Sequence, residues 1–269
     1  IFFLLLTFQL SAQNIRYSFS NEFETIKKHA DLGFYKFGNN EYAEVYLKPG
    51  EDMIIQLFDE KFQNIKKQET VILPEGSKKY ENEGFFSLKN NFYWFYSTWN
   101  RNEGKERLFA LPFNNTNLKF EGKELKLVET EKLSIEYEKY LFNYSTDSTK
   151  ILVPYRLQPR EKRDKLNKDI IAFTLFDNHM NKIYSSEIEM PYSEAEMDNL
   201  DYEVDSRGNI YLLAEVKINN SVDGEIDREH KNAYRYELIR VNQQNNSLQA
   251  IKINLENKFT SSVRLSEDL

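Results

Sequence analysis

An all-β fold assembled from repeated antiparallel sheets is the architecture this sequence predicts, and three observations predict it. The phrase Leu57-Phe58-Asp59-Glu60-Lys61-Phe62-Gln63-Asn64-Ile65 recurs more than a hundred residues later as Leu175-Phe176-Asp177-Asn178-His179-Met180-Asn181-Lys182-Ile183. Aromatic residues abound, 20 Phe and 17 Tyr in 269 residues, whereas Gly and Pro number only 9 and 6. Runs rich in aromatic and β-branched side chains favour strands over helices. Finally, polar turns near Asn39, Asn90, Asp147 and Ser206 succeed one another at intervals of about fifty to sixty residues, a little above the usual period of sheet repeats.

The chain opens with Ile1 to Leu10, apolar apart from Thr7 and Gln9, followed by the small pair Ser11 and Ala12. These residues have the character of the hydrophobic region and cleavage end of a secretory signal, cut after Ala12. No basic stretch precedes them, so 1–12 is expected to be a truncated signal peptide. A buried strand is the competing reading, since the run is too short for a membrane span.

Four sheet units follow. In the first, expected over 31–73, a short aromatic strand leads through a turn at Gly38 to Asn40 into a strand at Glu41 to Leu47 and a third strand ending in Leu57-Phe58-Asp59. The second, over 84–129, carries Phe92, Trp94 and Tyr96 against Tyr93 and Phe95, apolar on both faces, with its Leu-Phe-Asp slot at Leu111-Pro112-Phe113. The third, over 138–191, turns at Thr146 to Ser148 and returns to the phrase at Leu175-Phe176-Asp177; the fourth, over 201–255, has its slot at Val241-Asn242. A fifth copy starts within 259–269 and stops at its turn, so the chain is read as truncated there.

A four-stranded unit with both faces apolar must be covered on both sides by its neighbours. A ring of such units is one way an all-β chain avoids exposed edges. The prediction is therefore a β-propeller of four-stranded antiparallel blades, four of them and the start of a fifth. A β-sandwich with similar hairpins is the alternative. The turn Asp205-Ser206-Arg207-Gly208-Asn209-Ile210-Tyr211 resembles that of the secreted β-propeller repeat proteins of Gram-negative bacteria, and the likeness extends over nearly everything after residue 12. This resemblance implies an architecture and an exported location, whether periplasmic, cell-surface or secreted, and no particular activity. The Gly-His and Trp-Asp signatures of WD repeats and the Asp-x-Gly-x-Thr-Trp order of the sialidase box are missing.

Composition narrows the chemistry. A net charge of -7 lacks the basic face that a nucleic-acid backbone demands, so nucleic acid is not an expected partner. With no Cys, the chain offers no disulfide, thiolate metal site, thiol nucleophile or lipidated Cys, and an integral membrane segment is not expected after processing. His29, His179 and His230 fall in different units, which leaves a His metal site or a Ser-His-Asp triad without support. Asp223, Glu225 and Asp227 alternate like the opening of a calcium loop, but Arg228 and Tyr234 stand where Gly and Glu are needed. Neither a metal nor a cofactor is expected. The acidic run Glu194, Glu196, Asp198, Asp201, Glu203 and Asp205 is read as a solvated link into the fourth unit rather than a glycosidase carboxylate pair.

In an up-and-down sheet, the second-to-third loops share one end with the sheet-to-sheet links. The long segments Ser97 to Glu106, Leu157 to Lys168 and Lys217 to Asn232 all belong to that end, where binding commonly resides. Arg156, Arg160, Arg163 and Lys165 are the candidate ligand-binding residues, suited to carboxylate or sulfate groups of an anionic protein or glycan. The functional expectation is a non-catalytic secreted binding or assembly module, at the front of a longer multidomain protein. The alternative is the propeller portion of a peptidase or glycosidase whose catalytic residues lie beyond Leu269 or inside the ring.

Overall fold

The fold is described by a computed structural model over residues 26–38, 41–48, 52–59, 61, 65–73, 80–131, 133, 139–158, 167–217, 234–254 and 263–267. The first sheet contains β1 (Ala30–Lys36), β2 (Tyr42–Leu47), β3 (Met53–Phe58) and β4 (Ile65–Val71), antiparallel in chain order. The second contains β5 (Glu81–Leu88), β6 (Asn91–Asn100) and β7 (Lys105–Asn114), and two short pieces, β8 (Lys119–Phe120) and β9 (Leu125–Thr130), both pair with β7 as a broken fourth strand. β10 (Asn143–Tyr144), β11 (Lys150–Arg156), β12 (Lys168–Asp177) and β13 (Lys182–Ser193) form the third sheet. The fourth is β14 (Met197–Val204), β15 (Ile210–Lys217), β16 (Tyr234–Asn242) and β17 (Ser247–Ile253). The predicted signal over 1–12 lies outside the described residues.

Three cores, each shared by two consecutive sheets, hold these units together. Phe92, Trp94 and Tyr96 of β6 pack with Val45, Met53 and Ile55 of the first sheet. From the opposite face of the same strand, Tyr93 and Phe95 pack with Ile151, Val153 and Phe176 of the third. Leu152 and Phe173 of the third sheet then meet Val204, Leu212 and Ile239 of the fourth. Central strands buried on both faces, in sheets stacked consecutively, are the blades of a β-propeller. Among the described residues no core joins the fourth sheet to the first.

The repeated phrase ends the third strand of its sheet both times, and its Asp explains the repetition. Asp177 Oδ1 accepts hydrogen bonds from the backbone N–H of His179 at 2.8 Å and of Asn181 at 2.9 Å, while Asp59 Oδ1 accepts from Lys61 at 3.1 Å. Asn114 receives the N–H of Thr116 at 2.9 Å and Asn242 that of Gln244 at 3.0 Å. A short acceptor at the strand end thus satisfies turn amides that have no ladder partner. Leu118, Met180 and Asn246, at φ of 56°, 62° and 56°, then reverse the chain. The strand register corrects the second unit's slot by one residue. Phe113, opposite Phe92, matches Phe176, opposite Ile151, so the equivalent phrase is Pro112-Phe113-Asn114.

Ser97 to Glu106 was expected as a long loop, and the structure corrects this. β6 runs to Asn100 and pairs through Asn100↔Lys105, leaving only residues 101–104 as a turn, with Gly104 at φ 65°. The polar residues that suggested a loop belong to a strand end at the rim. A second repeat went unread in the sequence. Register shifts interrupt the first strands at Asp31/Gly33, Asn82/Gly84 and Asn199/Asp201, each a single-residue bulge within an Asx-x-Gly/Asp-aromatic phrase. Bulges raise local twist and re-aim side chains. At Gly84, φ is 140° and an added Cβ would come within 2.8 Å of the Phe86 ring.

Two stability outcomes follow. Gly84→Ala should destabilise the protein by about 1–3 kcal/mol in a denaturant melt, the cost of a strained backbone, and an unchanged midpoint would contradict the bulge geometry. Burial pushes the Asp177 carboxyl up, but hydrogen bonds from Asn181 and His179 outweigh it and hold its pKa below the ordinary value. Its contribution is therefore complete above the unfolded pKa of about 3.9 and lost as pH falls through the lower folded value. Asp177→Ala should cost about 1–2 kcal/mol at neutral pH, and Asp177→Asn should flatten the acid limb of the stability curve.

Candidate functional site

At the end of the sheets that carries the second-to-third loops, buried charge is arranged by the repeat. Glu106 and Asp169 each stand seven residues before the Phe of the repeated slot, at the start of a third strand, and are 3% and 7% exposed. Each meets a cation. Lys139 Nζ lies 3.0 Å from Glu106 Oε1 and also contacts Glu81. Arg156 Nη2 lies 2.7 Å from Asp169 Oδ1 and 3.5 Å from Glu194 Oε2. An acid at the same register in neighbouring sheets thus takes its partner from the link between sheets in one case and from the preceding strand in the other.

A cleft of about 300 Å³ opens beside the second pair, between the third and fourth sheets. Leu141, Pro154, Tyr155, Met197 and Tyr202 give it apolar walls, and Arg156, Asp169, Glu194, Asp198 and Asn199 give it polar ones. Asn199, preceding the bulge in β14, donates from Nδ2 to Asp169 Oδ2 at 3.2 Å, so both carboxylate oxygens of Asp169 are engaged. Burial raises the pKa of Asp169 despite the opposing pull of Arg156, and burial likewise raises that of Tyr202. Tyr155 is pushed up to about 12 by burial and by Glu187. Asp169 and Tyr202 at the cleft are thus buried, where a charge is felt more strongly than in water.

The structure distributes the predicted residues unevenly. Arg156 is the last residue of β11, and its side chain is only 12% exposed. It supports the cleft wall through its ion pairs instead of reaching out as a surface cation. Arg160, Arg163 and Lys165 lie outside the described residues, as do most of Leu157 to Lys168 and Lys217 to Asn232 and the whole Asp223 to Asp227 segment. The strands on either side nevertheless place both segments in second-to-third connections. The acidic run is corrected: only residues 194–196 link the sheets, and Asp198, Asp201 and Glu203 belong to β14 itself. Asp169 does not stand out in the sequence, where it follows the segment that carries Arg160, Arg163 and Lys165. Its alignment with Glu106 was the available signal. Among the described residues no group of three or more His, Cys, Asp or Glu is arranged to hold a metal ion, and no helix is long and apolar enough to cross a membrane.

Neither a protein-family profile nor a curated protein sequence matches the chain. Among solved structures, the chain is similar to the β-propeller domain of the Trilobed protease from Pyrococcus furiosus, at 12% identity and a TM-score of 0.40, over 86% of this chain and 59% of that one. An ulvan lyase of polysaccharide lyase family PL25 is similar at 10% identity and TM-score 0.43, over 86% of this chain and 59% of the lyase. An endo-arabinase from Bacteroides thetaiotaomicron is similar at 11% and 0.35, over 78% and 73%. The chain thus spans about three fifths of the first two.

The ion pair and the neighbouring segment should separate cleanly by mutation. Arg156→Ser leaves Asp169 buried without its cation and should cost about 2–4 kcal/mol in chemical denaturation. Changing Arg160, Arg163 and Lys165, which the sequence places in a loop, together to Ser should alter stability by less than about 1 kcal/mol, the size expected of loop substitutions away from a core. Equal effects of the two variants would show that Arg156 is no more structural than its neighbours.

Proposed function

We propose that this chain is an exported binding or assembly module that takes a protein or glycan partner at the end of the propeller bearing the second-to-third connections. The observation that carries this reading is the cleft between the third and fourth sheets, where apolar walls face the Arg156–Asp169 pair. Such a recess, with few oriented polar groups on a rigid scaffold, is the usual form of a ligand site. Arg160, Arg163 and Lys165, in the connection from β11 to β12, supply the cations for anionic groups at the rim. Arg156 contributes differently, by holding Asp169 and Glu194 in place. A non-catalytic role fits an acid, Asp169, whose two oxygens are engaged by Arg156 and Asn199. Export, with 1–12 as the leader, belongs to the same proposal and is supported by the apolar run and the small residues after it.

Capture from the native cell surface provides the test. Wild-type protein should retain a partner that the Arg160, Arg163 and Lys165 triple Ser variant loses, with retention falling as salt rises. Retention that is equal in both proteins at every salt concentration would refute the anionic rim. Cleaved peptide or released sugar from wild-type protein, lost in Asp169→Asn, would replace the binding reading by the hydrolase one. N-terminal sequencing of exported protein should begin at or near Gln13.

A further inference from the structure

At the opposite end of the sheets, the turns after β10 and β14 converge on one carboxylate. Glu267 Oε1 accepts the Ser206 backbone N–H at 2.9 Å and the Ser206 hydroxyl at 2.7 Å, and Oε2 accepts the Thr146 backbone N–H at 3.3 Å. Thr146 belongs to the third sheet's first turn and Ser206 to the fourth's. Two residues earlier, the N–H of Leu265 donates to Asp201 Oδ2 at 2.9 Å. Leu265 to Glu267 also line, with Tyr211 and Leu238, a recess of about 370 Å³. The segment Leu265 to Glu267 is therefore tied to β14 and the turn after it, by an acid at one end and by a backbone N–H and an apolar side chain at the other.

The surroundings make the acid informative. Asp201, Glu203 and Asp205 alternate along and just beyond β14, so another carboxylate would be repelled unless donors were aimed at it. Three such donors are aimed at it, two of them backbone amides in turns, the form in which proteins build anion sites from the main chain, and Arg207 lines the same recess. Asp205 occupies its own oxygens elsewhere, accepting from the backbone N–H of Asn209 at 2.8 Å and its Nδ2 at 2.6 Å. It holds the turn in shape while leaving the Ser206 donors to face outward. Hydrogen bonds from Ser206 depress the pKa of Glu267, as such donors require.

We propose that the two turns form a carboxylate-recognition site spanning the third and fourth sheets, which docks a Leu-x-Glu segment and is filled in this chain by Leu265 to Glu267. The occupant defines the ligand class: a peptide with an acidic side chain and an apolar residue two positions before it.

Amide hydrogen exchange on the full chain tests the site. In Glu267→Ala, exchange at Thr146 and Ser206 should accelerate about tenfold, and in Glu267→Gln by less, because Gln still accepts a hydrogen bond. The turn at Asp177 to Asn181 is held by its own Asp and should not change, which separates local release from general loosening. Added acetyl-Val-Arg-Leu-Ser-Glu-Asp-amide should restore protection to the Ala variant, and the same peptide with Gln for Glu should not. Unchanged exchange at the two turns, equal loss at Asp177 to Asn181, or no restoration by the acidic peptide would each overturn the proposal.

Discussion

The structure depends on strands that are apolar on both faces. A sheet whose central strand presents Phe92, Trp94 and Tyr96 to one side and Tyr93 and Phe95 to the other has no solvated face, so it cannot be an outer layer. Each such sheet demands a neighbour on either side, and each neighbour inherits the demand. Stacking in sequence order meets it with short links, and the only link between the third and fourth sheets is residues 194–196. Aromatic side chains suit this arrangement because their area is large and their rings meet edge to face, as Phe37 and Phe92 do at 4.8 Å across the first interface.

Stacking alone would leave the sheets free to slide, and the turns oppose this. An Asp or Asn at the end of each third strand bonds the amides beyond it, so the turn begins at a set residue. The same geometry links blades directly: Asn91 Nδ2 and the Tyr93 hydroxyl reach the carbonyl of Asn178, in a turn of the next sheet, at 3.0 and 3.1 Å. Tyr35 performs a similar task between the first and second sheets, its hydroxyl lying 2.6 Å from Leu32 O and 2.5 Å from Phe85 O. Leu32 is itself the bulged residue of β1, so the bulge turns a carbonyl that a regular ladder would occupy towards the phenol.

The two ends of the sheets handle charge in different ways. At the end with the longer connections, acids are buried and matched with Lys139 or Arg156, beside a cleft with apolar and polar walls. At the tight-turn end the acid Glu267 is held by two backbone amides and the Ser206 hydroxyl. Desolvation governs the first case, since it raises the pKa of Asp169 even beside a guanidinium. Hydrogen bonding to the ionised form governs the second, at a carboxylate that remains at the surface.

Local pattern in the sequence was enough to determine the repeat, the strand type and the third-strand position of the Leu-Phe-Asp phrase, because alternation, turn chemistry and the Asp cap act within a few residues of one another. Rim positions were misread for the same reason: Ser97 to Glu106 is polar like a loop, and only its pairing with a facing strand shows that it is sheet. The bulge phrase Asx-x-Gly/Asp-aromatic was present three times yet silent, since its meaning lies in a slipped register that a single strand does not display. Partnership between distant charges was decided by tertiary structure alone. Arg156 has the composition of a loop cation, but whether it faces solvent or Asp169 depends on where β12 and the link at Glu194 return, thirteen and thirty-eight residues later. Electrostatic energy in a protein is set by distance and burial, and neither is a property of the chain until its sheets are stacked.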